Sequence, residues 1–134
     1  MDEKQAFDPV PAEVEQLATL VLDAAFQVHR ELGPGLLESV YERCLSYEVR
    51  KRGLSVETQV VLPIAYDGHT IDAGLRLDML VEGKVIVEIK AVEQLLPVHE
   101  AQIFTYLKLT QNRLGFLINF DVPLLKEGIR RIVR

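Results

Sequence analysis

Asp78, Glu88 and Lys90 stand in the spacing Asp-x₉-Glu-x-Lys within Leu75–Ala91, two β-rich runs broken at Glu82-Gly83. Side chains of a strand alternate between faces, so the register of such a hairpin decides which of them meet. A two-residue loop would put Asp78 on the face of Val85, Val87 and Ile89. A three-residue loop, Val81-Glu82-Gly83, gives Gly the left-handed position that such loops favour and sorts the faces. Leu75, Leu77, Met79, Val81, Val85, Val87, Ile89 and Ala91 then fall on one side, and Arg76, Asp78, Leu80, Lys84, Ile86, Glu88 and Lys90 on the other. Two neighbouring carboxylates repel when both are ionised, and require a cation or a raised pKa. Mg²⁺ and Mn²⁺ take oxygen ligands, often one or two carboxylates with waters and substrate phosphates. Asp78 and Glu88, with the carbonyl of Ile89 as a third oxygen, are therefore a candidate metal site. Lys90, on the same face, is suited to orienting water and stabilising charge on a phosphate. The set suits phosphodiester hydrolysis. The competing structural reading is an exposed sheet face carrying a Lys–Glu–Arg cross-strand network, and spacing alone does not separate the two.

The flanking elements must bring this hairpin its neighbours. Residues 1–11 have little pattern and read as a loose tail. From Ala12 to Leu32, Val14, Leu17, Ala18, Val21, Leu22, Ala25, His29 and Leu32 recur at helical spacing. Gly33-Pro34-Gly35 ends that helix, and a second is expected from Leu36 to Arg52, with Leu37, Val40, Tyr41, Cys44 and Tyr47 inward and Gly53 closing it. Val56–Tyr66 and His69–Val81 read as strands joined at Asp67-Gly68, a strong hairpin signal. Pro63 marks the first of these as an edge strand or a bulge. Lys84–Ala91 completes an antiparallel meander. Pro97 precedes a helix over Val98–Thr110 with Ala101, Phe104, Tyr106 and Leu109 inward, and Leu114–Phe120 is a fourth, buried strand. The connecting helix lets that strand run parallel to the third by a right-handed crossover. Val122–Arg134 is open to two readings, a short helix or a final edge strand. The expected fold is mixed α/β in the order α-α-β-β-β-α-β, a four-stranded mixed sheet flanked by helices, in one domain spanning residues 12–134.

The totals narrow the class. A chain of 134 residues, 49% hydrophobic and 26% charged, suffices for one domain with a real core. No apolar run is long enough to span a bilayer, so no membrane partner is expected. The charged start, Met-Asp-Glu-Lys-Gln, lacks a signal peptide's apolar region. A lone Cys44 excludes an intramolecular disulfide and points to a reducing, cytoplasmic setting; it reads as a small core residue. Three His and one Cys argue against structural zinc. The net charge of −5 argues against a binder that relies on a basic surface, but not against an enzyme that meets phosphates locally through a divalent ion. The basic clusters Arg50-Lys51-Arg52 and Arg130, Arg131, Arg134 read as solvated ends of elements.

Asp78 with Glu88-Ile89-Lys90 resembles the signature of the PD-(D/E)XK nuclease superfamily, with Leu77 where the name-giving Pro would stand. The resemblance implies a restriction-endonuclease-like αβββαβ core, here with an extra N-terminal helix. More closely, the chain from Ala25 resembles the GxxExxY protein family. The matching residues are Gly35-Leu36-Leu37-Glu38-Ser39-Val40-Tyr41, Val28-His29, Leu32-Gly33, Pro97-Val98-His99-Glu100-Ala101-Gln102 and Leu117-Ile118-Asn119-Phe120. That family is regarded as nuclease-like by fold and motif. The resemblance implies that Glu38 joins Asp78 and Glu88 around the metal; a structural role as a helix cap is the rival reading, and the two are compatible. Gln102 and Tyr106, at i and i+4, share a helix face and are similar to a Gln-Tyr pair bordering the site in exonuclease-type branches. Gln102 would bind a metal water or phosphate and Tyr106 would position substrate, or the two simply form a polar face over a half-buried ring. Tyr41 is a further substrate-side candidate, against a core role with a bonded hydroxyl. His29 reads as a satisfied core histidine, His99 as a helix-terminal residue and His69 as a turn residue.

Two functions are therefore expected to compete. The first is a Mg²⁺- or Mn²⁺-dependent nuclease acting on DNA or RNA, with Asp78, Glu88, Lys90, Glu38 and Gln102 as its catalytic set. The second is a non-catalytic, nuclease-like module that binds nucleic acid or protein. A homodimer is compatible with both.

Overall fold

The structure, a computed structural model, describes residues 8–134; most of the expected loose tail, residues 1–7, lies outside the described residues. Asp8 and Val10 are tied down, the Asp8 carbonyl accepting from Arg113 Nη2 at 2.9 Å and Val10 packing against the core. Helix α1, Ala12–Leu32, buries Val14, Ala18, Val21, Ala24, Ala25 and Val28 along one stripe. This stripe is rotated from the expected one, which includes Leu22, His29 and Leu32; Leu17 and Leu22 flank it, partly buried against the core. Acidic Glu13 and Glu15 in its first turn, and Arg30 in its last, suit the helix dipole. Gly33, at φ +65, ends it with its amide on the His29 carbonyl at 2.8 Å.

Helix α2, Glu38–Lys51, buries Tyr41, Leu45, Ser46 and Val49. Of the inward residues expected from sequence, Leu37, Val40 and Tyr47 are exposed and Cys44 is half-buried. The helix begins two residues later than expected, which leaves Leu37 outside it, and its buried face runs through Tyr41, Leu45 and Val49.

Five strands follow: β1 Val56–Tyr66, β2 His69–Val81, β3 Val85–Lys90, β4 Leu114–Asn119 and β5 Ile129–Val133. They form one sheet in that order, antiparallel except for the parallel β3–β4 pair, which helix α3, Pro97–Thr110, connects. The expected four-stranded sheet thus gains a fifth strand. The ambiguous tail forms both elements in turn, a 3₁₀ turn at Leu125–Gly128 and then an edge strand. Pro63 lies on the edge strand β1, beside a register shift between Leu62 and Ile64, as its missing amide predicts. The Asp67-Gly68 turn has positive φ at both residues, the hairpin geometry expected of that pair.

Helices α1 and α2 cover one face of the sheet, against Met79, Val81, Val85, Val87, Ile89, Phe116 and Ile118. Helix α3 covers the other, through Ile103, Tyr106 and Leu107, against Leu77, Ile86 and Leu117. Ala101, Phe104 and Leu109, expected inward, are exposed. Because the apolar residues of α3 are spread round the helix among Glu100, Gln102, Thr105 and Lys108, its sequence does not say which face is buried.

The β2–β3 turn comprises Glu82-Gly83-Lys84, with Val81 paired to Val85 and the Lys84 amide on the Val81 carbonyl at 2.9 Å. This is one residue on from the expected loop, with the same parity. One part of the face-sorting is different. Leu77 packs under α3 while Met79 packs under α1 and α2, so residues two apart in β2 lie on opposite faces. Opposite them Thr58 pairs with Met79 and Val60 with Leu77, but Gln59 and Asp78 between them drop out of the ladder, and Gln59 takes φ +53. Both strands change face at that point.

Candidate active site

The face change occurs where β2 and β3 part. Their ladder runs from Val81–Val85 to Met79–Val87 and stops. Beyond it two carboxylates take over the backbone's partners: the Asp78 amide donates to Glu88 Oε1 at 2.8 Å, and the Ile89 amide donates to Asp78 Oδ2 at 2.8 Å. The expectation that Asp78 and Glu88 converge is met in this form. Each carboxylate has one oxygen committed to the opposite strand. Glu88 Oε2 and Asp78 Oδ1 are the oxygens left, the latter in contact with Gln59 Nε2 at 3.3 Å.

Glu88 is 5% exposed. Burial, and secondarily the negative charge of Asp78, push its pKa up from 4.5 to about 8, while the Asp78 amide and the Lys90 ammonium pull the other way. In the metal-free protein at neutral pH this carboxyl is mainly protonated. Lys90 is half-buried two residues on, near enough for its charge to be felt at Glu88.

Helix α3 supplies Tyr106. Its ring is buried in the α3 core and its pKa is raised, first by burial and then by the charges of Glu88 and Asp78, which places the phenol beside the pair. Gln102 lies one turn earlier, exposed. His99 Nδ1 accepts from the Leu96 amide at 3.0 Å, making it the helix-terminal residue expected.

Helix α2 supplies Glu38 and Glu42. Glu38 is the first helical residue, and no side chain caps this helix, so the capping role is not the one it plays. Instead its Oε2 accepts from the Ala91 amide at 3.4 Å, just past Lys90. Glu42, one turn on, is the acid linked to Asp78: Gln59 Nε2 donates to Glu42 Oε1 at 2.8 Å as well as to Asp78. Burial, then the charges of Asp78 and Glu38, raise the Glu42 pKa against the opposing effect of the Gln59 bond. Glu42 is legible in the sequence as the i+4 neighbour of Glu38; Gln59 carries no such signal, because its neighbours are set by the face change.

Tyr41 does not face a ligand. It is fully buried, stacks on Phe120 with ring centroids 4.6 Å apart, donates to the Gly33 carbonyl at 2.6 Å and accepts from the Leu36 amide at 3.1 Å. It fastens the turn that launches α2, and the substrate-side role is corrected to this one. His29 is the satisfied histidine expected, its Nε2 donating to the Val122 carbonyl at 2.8 Å. Asn119, buried at the end of β4, holds the segment after β3: its Nδ2 donates to the Val92 carbonyl at 2.9 Å and its Oδ1 accepts from the Val92 amide at 3.1 Å.

One comparison with known proteins finds a relationship for this chain. The family description "PD-(D/E)XK nuclease superfamily" fits residues 15–132, nearly the whole chain. The chain belongs to the PD-(D/E)XK nuclease superfamily. No curated protein and no solved structure matches it. The matched span contains Asp78 and Glu88-Ile89-Lys90.

Members of such a family imply a divalent ion, and the donor set can be tested for it. Among the described residues no group of three His, Cys, Asp or Glu side chains is placed to hold a metal, so Glu38 does not complete a ready three-carboxylate cluster. Mg²⁺, however, is ordinarily held by one or two carboxylates and keeps most of its waters. Asp78 and Glu88 supply that number of hard oxygens; the Glu88 pKa is raised first by burial and then by the Asp78 charge, and a cation opposes both. The residues fit the ion.

Among the described residues no helix is long and apolar enough to cross a membrane.

Proposed function

We propose that the protein is a divalent-metal-dependent nuclease that hydrolyses phosphodiester bonds in nucleic acid. The observation that carries this reading is the reciprocal pair at the β2–β3 divergence, Asp78 on the Ile89 amide and Glu88 on the Asp78 amide, both at 2.8 Å. Such bonds fix two carboxylates at one point inside the sheet, and preorganised groups of this kind are what lowers a barrier without reorganisation.

Asp78, Glu88 and the Ile89 carbonyl would hold Mg²⁺ or Mn²⁺. A divalent ion there acts as a Lewis acid toward phosphoryl oxygen and acidifies water. Lys90 offers a cationic donor to negative charge developing on the phosphate. Tyr106, with its phenol beside the pair, orients the substrate, and Gln102 on the same helix reaches toward its phosphate. Glu38 steadies the chain beyond Lys90 through the Ala91 amide.

Purified protein with Mn²⁺ is expected to cleave at least one of single-stranded, duplex or branched DNA or RNA, and Asp78→Ala and Lys90→Ala variants are expected not to. Equal inactivity of wild type and variants on all of these removes the enzymatic reading.

A second reading, a nuclease-like module that binds nucleic acid or protein without cleaving, is favoured by one observation: no three ligating side chains are brought together among the described residues. Thermal melting separates the two. A ligand of the folded state raises the melting temperature by mass action; a rise with Mn²⁺ favours the enzyme, and no rise together with retained oligonucleotide binding favours the module.

A further inference from the structure

Gln59 is a side-chain-bearing residue in the left-handed region, φ +53, in the interior of strand β1. Such a conformation is costly for L residues other than Gly and persists where its surroundings demand it. It falls opposite Asp78, at the point where the β1–β2 ladder skips a pair and both strands change face. From there the Gln59 carboxamide donates to two acids, Glu42 Oε1 at 2.8 Å and Asp78 Oδ1 at 3.3 Å. The two acids arrive from different layers, Glu42 from α2 and Asp78 from β2. A neutral carboxamide has two N–H donors on one nitrogen, so it can hold two carboxylates side by side.

We propose that Gln59 is a positioning residue of the candidate site: its carboxamide fixes the Asp78 carboxylate and ties it to Glu42, so that α2 and the β2–β3 hairpin present their acids in one arrangement. The inference rests on the metal-site reading of Asp78 and Glu88. The rival explanation is that Gln59 serves the backbone bend alone, with its side chain incidental.

Two substitutions separate these roles. Gln59→Gly accepts a positive φ without strain and deletes the carboxamide. Gln59→Asn keeps an amide and tolerates the left-handed region, but is one methylene too short to span both acids. Partners that orient metal ligands change metal affinity by roughly 10- to 100-fold when removed. The experiment is a titration of the full chain with Mn²⁺, read by electron paramagnetic resonance, with melting temperature measured in parallel without metal. The expected result is a metal-free melting temperature at or above wild type for Gln59→Gly, and a Mn²⁺ dissociation constant raised about tenfold or more in both variants. A wild-type dissociation constant in both, with binding abolished in Asp78→Asn, overturns the positioning role and leaves the metal site standing. Absence of Mn²⁺ binding by the wild type overturns the metal-site reading and the positioning role with it.

Discussion

Glu88 accepts a hydrogen bond from the backbone of Asp78, and Asp78 accepts one from the residue that follows Glu88, both at 2.8 Å. Neither carboxylate is a pendant group on a finished sheet. They stand in for the ladder bonds that β2 and β3 stop making after Met79 and Val87. Buried amides left without partners cost free energy, so this end of the hairpin depends on the two acids for its shape. Burial of Glu88, and secondarily its repulsion by Asp78, leaves a carboxyl that keeps its proton near neutrality.

That proton makes stability depend on pH. The pKa of Glu88 is raised from 4.5 to about 8, so between these values the folded chain binds a proton that the unfolded chain has released. Its contribution is full below pH 4.5, declines as pH rises through the window, and levels off above pH 8. The slope for one such group cannot exceed about 1.4 kcal/mol per pH unit. Urea denaturation of the metal-free protein across this range is expected to show the decline. Glu88→Gln, which keeps an amide's acceptor oxygen and cannot ionise, is expected to flatten it.

Metal binding must displace the same proton, since carboxylates ligate in their ionised form. Mn²⁺ binding at pH 7 is therefore expected to release close to one proton. Its affinity should rise by up to about tenfold per pH unit toward pH 8, where Glu88 becomes ionised, and level off above it. Calorimetric titration in two buffers of different ionisation enthalpy gives the proton count directly; a count of zero would place the ion away from Glu88.

Much of this arrangement is legible in the sequence. The parity of Leu75–Ala91 places Asp78, Glu88 and Lys90 together, because period-two alternation and a Gly-containing turn leave few registers. The helices and the first four strands follow from periodicity and from Gly and Pro punctuation. The misplacements have physical causes. Alternation puts Leu77 on the face of Met79 because it assumes an unbroken strand, and the face change at Gln59 and Asp78 breaks it. The inward face of α3 escapes the pattern because apolar and polar residues are mixed round that helix, which leaves no stripe to read. Glu42 is legible only as the i+4 neighbour of Glu38, and Gln59 not at all, because their meeting with Asp78 depends on how α2 lies across β1.

Tyr41 tests whether α2's entry turn is held from within the core. Tyr41→Phe keeps the stack on Phe120 but leaves the Gly33 carbonyl and the Leu36 amide without their hydroxyl partner. A loss of about 1–3 kcal/mol in unfolding free energy is expected, with Mn²⁺ affinity unchanged. A large fall in affinity with little change in stability would instead give Tyr41 a part in the site.

Gly128 ties the last strand to the site by backbone contact. A Cβ added there would lie 2.2 Å from the Asn119 carbonyl oxygen and 3.1 Å from Val122 Cγ2. The nearer atom is main chain at the end of β4 and cannot rotate away, so Gly128→Ala must move either β4 or the 3₁₀ turn. Gly115→Ala is the comparison. Its Cβ would meet Ile103 Cγ2 at 2.8 Å, the end of a side chain able to shift, and the Ile86 carbonyl at 3.3 Å. Overpacking of buried positions costs about 1–3 kcal/mol. Gly128→Ala is expected at or beyond the upper end of that range and Gly115→Ala toward the lower end, as measured by urea denaturation. Asn119 also holds Val92 through both of its backbone groups, two residues past Lys90. A Gly128→Ala protein that still folds is therefore expected to bind Mn²⁺ more weakly, whereas Gly115→Ala, whose nearest contact lies under α3, is expected to bind it as the wild type does.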